Sequence, residues 1–195
     1  KGSLAHLSGK FFSINSVTPT KNQKSILNQR DVGFLCLFKT VLNNVEYYLL
    51  QCKAKPGNEN KFQWSPTILA TKSNFSKVHK GKSPPYFDFL ISVFKGQQKA
   101  KIQTDHLLPE QGDIYWQKYN RNITIETDCI EDLDGFRWVS KGQLYCLLLA
   151  FSEVNSCLRS ILSLEFFKPS TKAKFDQFSQ TQFCNIAQQN KVIII

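Results

Sequence analysis

The sequence contains no methionine and only three histidines, His6, His79 and His106. The histidines have no ligand spacing, and the six cysteines form no C-x-x-C pair. A structural zinc site is therefore not expected, and neither is any other metal. Most of the cysteines sit in apolar runs, and they read as small buried hydrophobes of a reduced, cytoplasmic protein. No apolar run approaches the roughly 20 residues that a membrane span needs. A signal peptide is not expected, because the first residues are polar and already patterned. Acid is scarce, with 15 Asp and Glu against 25 Lys and Arg. The missing methionine, the initiator included, fits a segment cut from something longer.

What is present is globular. Hydrophobic residues make up 42% and aromatics 13% of 195 residues, enough for one domain with a real core. The net charge of +10 admits three partner classes: nucleic acid, a membrane surface or a small anionic ligand. The lysines are scattered except between residues 72 and 82. That distribution points to a local anion site. No base-reading motif accompanies the charge, so nucleic acid is not expected, nor is a membrane.

The densest polar and basic stretch runs from Gln51 to Tyr86, between two apolar segments. Pro56-Gly57-Asn58 forms a turn, and Pro66 interrupts an extended run from Phe62 to Ala70. Before this stretch, Leu7 to Val17 contains a half-buried strand and residues 18–29 read as a polar connection. Gly33–Lys39 and Val45–Cys52 read as strands joined by a tight turn at Asn43-Asn44. After it, Ser83-Pro84-Pro85 starts a helix whose apolar face is Tyr86, Phe89, Leu90, Val93 and Phe94. A strand follows over Lys101–Leu108 and another around Ile123–Thr127. Ser140 and Gln143 form a capping box for a helix to Phe151, and a further helix covers Asn155–Leu164. About six strands and three helices in mixed order make an α/β or α+β domain.

Several blocks carry a resemblance. They begin with Ser8-Gly9-Lys10-Phe11-Phe12, followed by Arg30-Asp31 with Gly33. Next come Gln51, Lys53 and Pro56-Gly57-Asn58, followed by Ser65-Pro66-Thr67, Ala70-Thr71, Ser73-Asn74, Val78-His79 and Gly81-Lys82. Glu110-Gln111-Gly112 and Asn120-Arg121-Asn122 come later. The last blocks are Phe136, Trp138, Gly142-Gln143-Leu144, Val154-Asn155 and Arg159. In this order, over about residues 8–165, the chain resembles the NDP-hexose 2,3-dehydratases. The resemblance implies one module of a Nudix-hydrolase-like fold, a mixed β-sheet flanked by helices, with a divergent tail over 166–195. Family members are similar to two such modules in tandem, so a homodimer or a second module is the implied partner. The Nudix catalytic box, with its dense glutamates, is absent, so metal-dependent pyrophosphate hydrolysis is not expected.

The implied substrate is a TDP-linked 4-keto-6-deoxyhexose, which loses its C2 hydroxyl to give the 2-deoxy-3,4-diketo sugar. This elimination moves no hydride and calls for no cofactor. It needs a base, an acid, donors for an enolate oxygen and a diphosphate site. His79 is one candidate acid or base, because imidazole titrates near neutrality. Tyr115, Tyr119, Glu110 and Asp31 are the alternatives. Arg30 and Arg121 have guanidinium forks that match phosphate, and Lys53 and Lys80 can hold diphosphate. Thr67, Thr71, Ser73, Asn74 and Asn120 fit polar contacts to phosphate or sugar, and Trp64 could stack on the base. For each of these residues a purely structural role stands beside the functional one. Lys55, Trp64 and Phe75 depart from the family pattern. Such departures fit a second reading, a copy that binds nucleotide sugar or dimerises without catalysis.

Overall fold

A computed structural model describes residues 4–9, 12–17, 24–71, 83–150 and 152–166. The chain runs β1 (Leu4–Ala5), β2 (Ser13–Val17), β3 (Lys24–Asn28), β4 (Gly33–Leu42), β5 (Val45–Ala54), β6 (Phe62–Ser65) and β7 (Ile68–Ala70). It continues through α1 (Phe87–Phe94), β8 (Ala100–Pro109), β9 (Tyr119–Thr127), β10 (Phe136–Ser140), α2 (Lys141–Leu149) and α3 (Ser156–Phe166). The main sheet has seven strands in the order β10-β5-β4-β9-β8, with β6 added to β5 and β7 to β4. A separate sheet holds β1-β2-β3. Within the main sheet β4 and β9 run parallel, and the other described pairs are antiparallel. This is the mixed sheet flanked by helices that the sequence implies.

Helices cover both faces of β4, which explains its unbroken apolar run. Cys36 and Phe38 pack with Leu49, Ile123 and Ile125 against Leu90 and Val93 of α1. Leu35 and Leu37 pack with Tyr48 and Leu50 against Leu144 of α2 and Leu158, Ile161 and Leu162 of α3. Each such side chain, fully buried, stabilises the fold by roughly 1.5–3 kcal/mol. The capping box at Ser140 and Gln143 is formed in both directions. The tight turn at Asn43-Asn44 is also formed, with φ of 50° and 63°.

β4 and β5 pair from the hairpin back to Phe38 and Leu49, then part. β6 takes up the free edge of β5, and β7 that of β4. Thr67 sits at the fork. Its hydroxyl accepts from the Phe38 N–H at 2.9 Å and donates to the Leu49 carbonyl at 2.5 Å. It thus replaces one rung of the ladder that the fork interrupts. Pro66, with no N–H, lies where neither strand needs a donor.

Four expectations need correction. Residues 24–28 are a strand, because Ile26 is buried and the segment pairs with β2 across the span from Ser13↔Asn28 to Val17↔Lys24. Helix α1 begins after Tyr86, which adopts a left-handed φ of 58° with no side-chain cap, so neither Ser83 nor the prolines start it. Ten strands form among the described residues, because short paired segments such as β7 and β10 carry little periodicity of their own. Of the described cysteines only Cys36 is buried; Cys157 is half-buried and Cys52, Cys129 and Cys146 are exposed. The runs holding those three are therefore amphipathic and not fully buried. The tail over 167–195 lies outside the described residues, as does its β-prone end.

One buried cation anchors the last turn of α3. Lys39 lies 2.8 Å from Glu165 and 3.2 Å from Glu46, and Lys141 lies 2.5 Å from Glu46 on its other oxygen. Burial alone would lower the Lys39 pKa, but hydrogen bonds and charge from Glu165 and Glu46 leave it raised. Among the described residues no helix is long and apolar enough to cross a membrane.

Candidate functional site

A cleft of about 340 Å³ opens between the end of β8, the start of β9, the loop after β8 and the first turn of α3. It is lined by Asn120 and Asn122 of β9, Glu110 and Tyr115 of the loop after β8, and Ser156 and Cys157 of α3. Lys55 lines it as well.

Local structure fixes each part. The Tyr115 loop is bound to the small sheet: the Leu27 N–H donates to the Ile114 carbonyl at 2.8 Å, and the Trp116 N–H to the Leu27 carbonyl at 2.9 Å. Lys118, buried next to β9, donates to the carbonyls of Gln29 and Asp31, at 3.3 and 2.8 Å. Burial lowers its pKa. The start of α3 is tied to β6 and capped. The Trp64 N–H donates to the Glu153 carbonyl at 2.7 Å, and Asn155 Oδ1 accepts from the Leu158 N–H at 2.9 Å. The Asn155 amide donates to the Ser65 hydroxyl.

Within the cleft, Asn120 Nδ2 donates to one oxygen of Glu110. That leaves the carboxylate oriented, with its second oxygen available. Burial, reinforced by the nearby Glu110 charge, raises the Tyr115 pKa, so the phenol stays protonated at neutral pH. Burial likewise raises the Cys157 pKa, against a pull from Lys55 and Lys53. The same two lysines lie within electrostatic reach of each other: burial first and then the Lys55 charge lower the pKa of Lys53. Two cations held together near the N-terminal end of a helix favour an anion there.

The candidate residues divide. Glu110, Tyr115 and Asn120 meet in this cleft. Lys53 and Thr67 line a second cleft of about 360 Å³ with Gln51 and Ser83, although the Lys53 charge reaches Cys157. The hydroxyl of Thr67 is already used at the strand fork. Arg121 forms a two-point ion pair with Asp105, at 2.7 and 2.5 Å, and its guanidinium lies 4.6 Å from the centre of the Phe94 ring of α1. It does not line the 340 Å³ cleft. Tyr119 is exposed at the start of β9, and Arg30 is exposed just before β4. Trp64 packs beside the α2 and α3 core. Thr71 is half-buried after β7. His79, Ser73, Asn74 and Lys80 lie outside the described residues. Asn122, Lys55 and Cys157 were not among the candidates, although they line the cleft.

Comparison with known proteins identifies the family. The profile of the NDP-hexose 2,3-dehydratases matches residues 1–164, so the chain belongs to that family. A dTDP-4-dehydro-6-deoxy-alpha-D-glucopyranose 2,3-dehydratase of Saccharopolyspora spinosa is 34% identical over 168 residues, 82% of this chain and 34% of the relative. An enzyme of the same name from Amycolatopsis orientalis is 33% identical over 175 residues, 83% of this chain and 36% of the relative. The Streptomyces violaceoruber enzyme is 33% identical over 170 residues, 83% of this chain and 38% of the relative. The chain thus spans about a third of the length of these curated relatives. Among solved structures, a Nudix hydrolase from M. smegmatis, RenU, aligns over 76% of this chain and 96% of its own. Its identity is 13% and its TM-score 0.39, too loose a likeness to bear on chemistry.

Proposed function

We propose that this chain is one module of a cytoplasmic sugar-nucleotide 2,3-dehydratase, acting on a TDP-4-keto-6-deoxyhexose in deoxysugar biosynthesis. The observation that carries the reading is the Glu110 carboxylate, oriented by Asn120 next to a protonated Tyr115 in one cleft. In the elimination Glu110 takes the C3 proton, which the 4-keto group acidifies. The C3–H electrons form an enolate, the C2–O bond breaks, and Tyr115 protonates the departing hydroxyl so that it leaves as water. The resulting enol takes up a proton at C2 and releases its O3 proton, which leaves the 3-keto group. Lys53, Lys55 and the start of α3 hold the diphosphate. The partner is a second module, in tandem or as a second copy.

The test is turnover of TDP-4-keto-6-deoxyglucose by the intact polypeptide carrying Glu110→Gln. Turnover is expected to fall by about 10²–10⁴-fold with TDP binding retained, as for loss of a general base. Unchanged turnover would remove Glu110 from the mechanism. A second reading rests on the chain's coverage of about a third of its relatives: a module that binds nucleotide sugar, or dimerises, for a catalytic partner. It predicts TDP binding without turnover by the wild-type chain alone.

A further inference from the structure

Asn122 is 1% exposed, yet it lines the cleft. Its Nδ2 donates to the main-chain carbonyl of Asn120 at 3.0 Å. A carbonyl only accepts, so the atom facing it must be the amide nitrogen, and the orientation of the carboxamide follows. Oδ1 is then committed to the other side. It is buried and has no hydrogen-bond partner among the described residues. Three other polar groups of the cleft are already engaged. The Asn120 amide is spent on Glu110, the Ser160 hydroxyl donates to the Ser156 carbonyl at 3.1 Å, and Ser156 interacts with Cys157. An unpaired buried acceptor is costly, and a ligand donor relieves that cost.

We propose that Asn122 is a specificity-determining residue whose Oδ1 accepts a hydrogen bond from the C3 hydroxyl of the bound sugar. The inference rests on the reading of the cleft as the sugar-nucleotide site. Chemistry selects C3 over C2. The C2 oxygen leaves as water and must gain a proton, so an acceptor there would oppose its departure. The C3 oxygen must lose its proton as the enol becomes a ketone, so an acceptor there assists. Holding the C3 hydroxyl also fixes which way the C3 hydrogen points relative to Glu110, one β9 residue pair away through Asn120.

The test uses the intact polypeptide and ligands that bind without reacting: TDP, TDP-6-deoxyglucose, and its 2-deoxy and 3-deoxy counterparts, measured by calorimetry. Wild type is expected to bind the 3-deoxy ligand about tenfold or more weaker than the parent, the size of one lost hydrogen bond at a buried acceptor. The 2-deoxy ligand should stay within about threefold of the parent. Asn122→Ala should weaken the parent about tenfold, leave TDP unchanged, and no longer distinguish the parent from the 3-deoxy ligand. If Asn122→Ala does not fold, the wild-type ligand series still decides, with Asn122→Ser as the second variant. Binding of the parent without discrimination against the 3-deoxy ligand overturns the role of Asn122 alone. Equal losses for TDP and the parent in Asn122→Ala also overturn it, by assigning Asn122 a structural role. A folded wild type that binds none of the four overturns both this inference and the sugar-nucleotide reading beneath it.

Discussion

The carboxamide of Asn120 occupies the space where a Cβ on Gly33 would lie. The two residues are also partners in the parallel register of β4 and β9. A methyl group at position 33 would strike Asn120 Oδ1, and the same side chain holds Glu110. Gly33→Ala should therefore fold with a loss of about 1–3 kcal/mol, the usual cost of overpacking. Its turnover should fall much further than its stability, because Glu110 loses its guide. Urea unfolding and a turnover assay on the same preparation check both halves.

Thr67 provides a contrasting case. Thr67→Val keeps shape and removes the hydroxyl that bonds Phe38 and Leu49 at the fork. The expected cost is about 1–3 kcal/mol, because a buried donor and a buried acceptor lose their partner. TDP affinity should not change. A large fall in affinity with little change in the urea midpoint would restore Thr67 to the binding site.

Arg121→Ala should leave TDP affinity within about twofold. Its ion pair with Asp105 is partly exposed, with side chains 34% and 31% accessible, so the stability loss should be at most about 1 kcal/mol from charge. Calorimetry with TDP decides whether this guanidinium serves the ligand or the α1 side of the sheet.

The cluster around Lys39 sets an acid limit on stability. Hydrogen bonding to Lys141, followed by the pull of Lys39 against burial, lowers the Glu46 pKa. A lowered carboxyl pKa contributes stability above the unfolded value, near 4.3, and that contribution is lost as pH falls through the folded value. The urea midpoint should drop below about pH 4, and less steeply in Lys141→Met, which removes the main cause of the shift. Lys39→Met should cost about 3–5 kcal/mol at neutral pH, because it breaks a buried ion pair by removing one of its two members.

Much of the fold could be read from the sequence because β4 and β5 are long, apolar and joined by asparagines that tolerate positive φ. The Ser140 box was equally legible, since both partners lie within one helical turn. The break between β6 and β7 at Pro66 was legible too, but strand β3 and the different partners that β6 and β7 take were not, because their pairing depends on residues distant in the chain. Glu110, Tyr115 and Asn120 could be named by chemistry and resemblance, but their meeting depends on the bridge from Leu27 to Tyr115. The place of Arg121 outside the cleft follows from the strand itself. Side chains alternate along a strand, so Arg121 and its neighbours Asn120 and Asn122 point to opposite faces. That alternation was itself a usable signal for Asn122. In β9 residues 120, 122 and 124 are all polar and all buried, while Ile123 and Ile125 fill the other face. A central strand with one polar buried face implies a cleft, or water, on that side.

The parallel pairing of β4 with β9 also sets the order of assembly during synthesis. The β4–β5 hairpin can close as soon as it is made, whereas Gly33 must wait for Asn120 to emerge after β7, α1 and β8. Closing so long a loop is the slow, entropically demanding step in folding such a sheet. Until it happens, the apolar edge of β4 stays open and the cleft does not exist. A chain paused or truncated before β9 would therefore be an aggregation hazard rather than a weak enzyme.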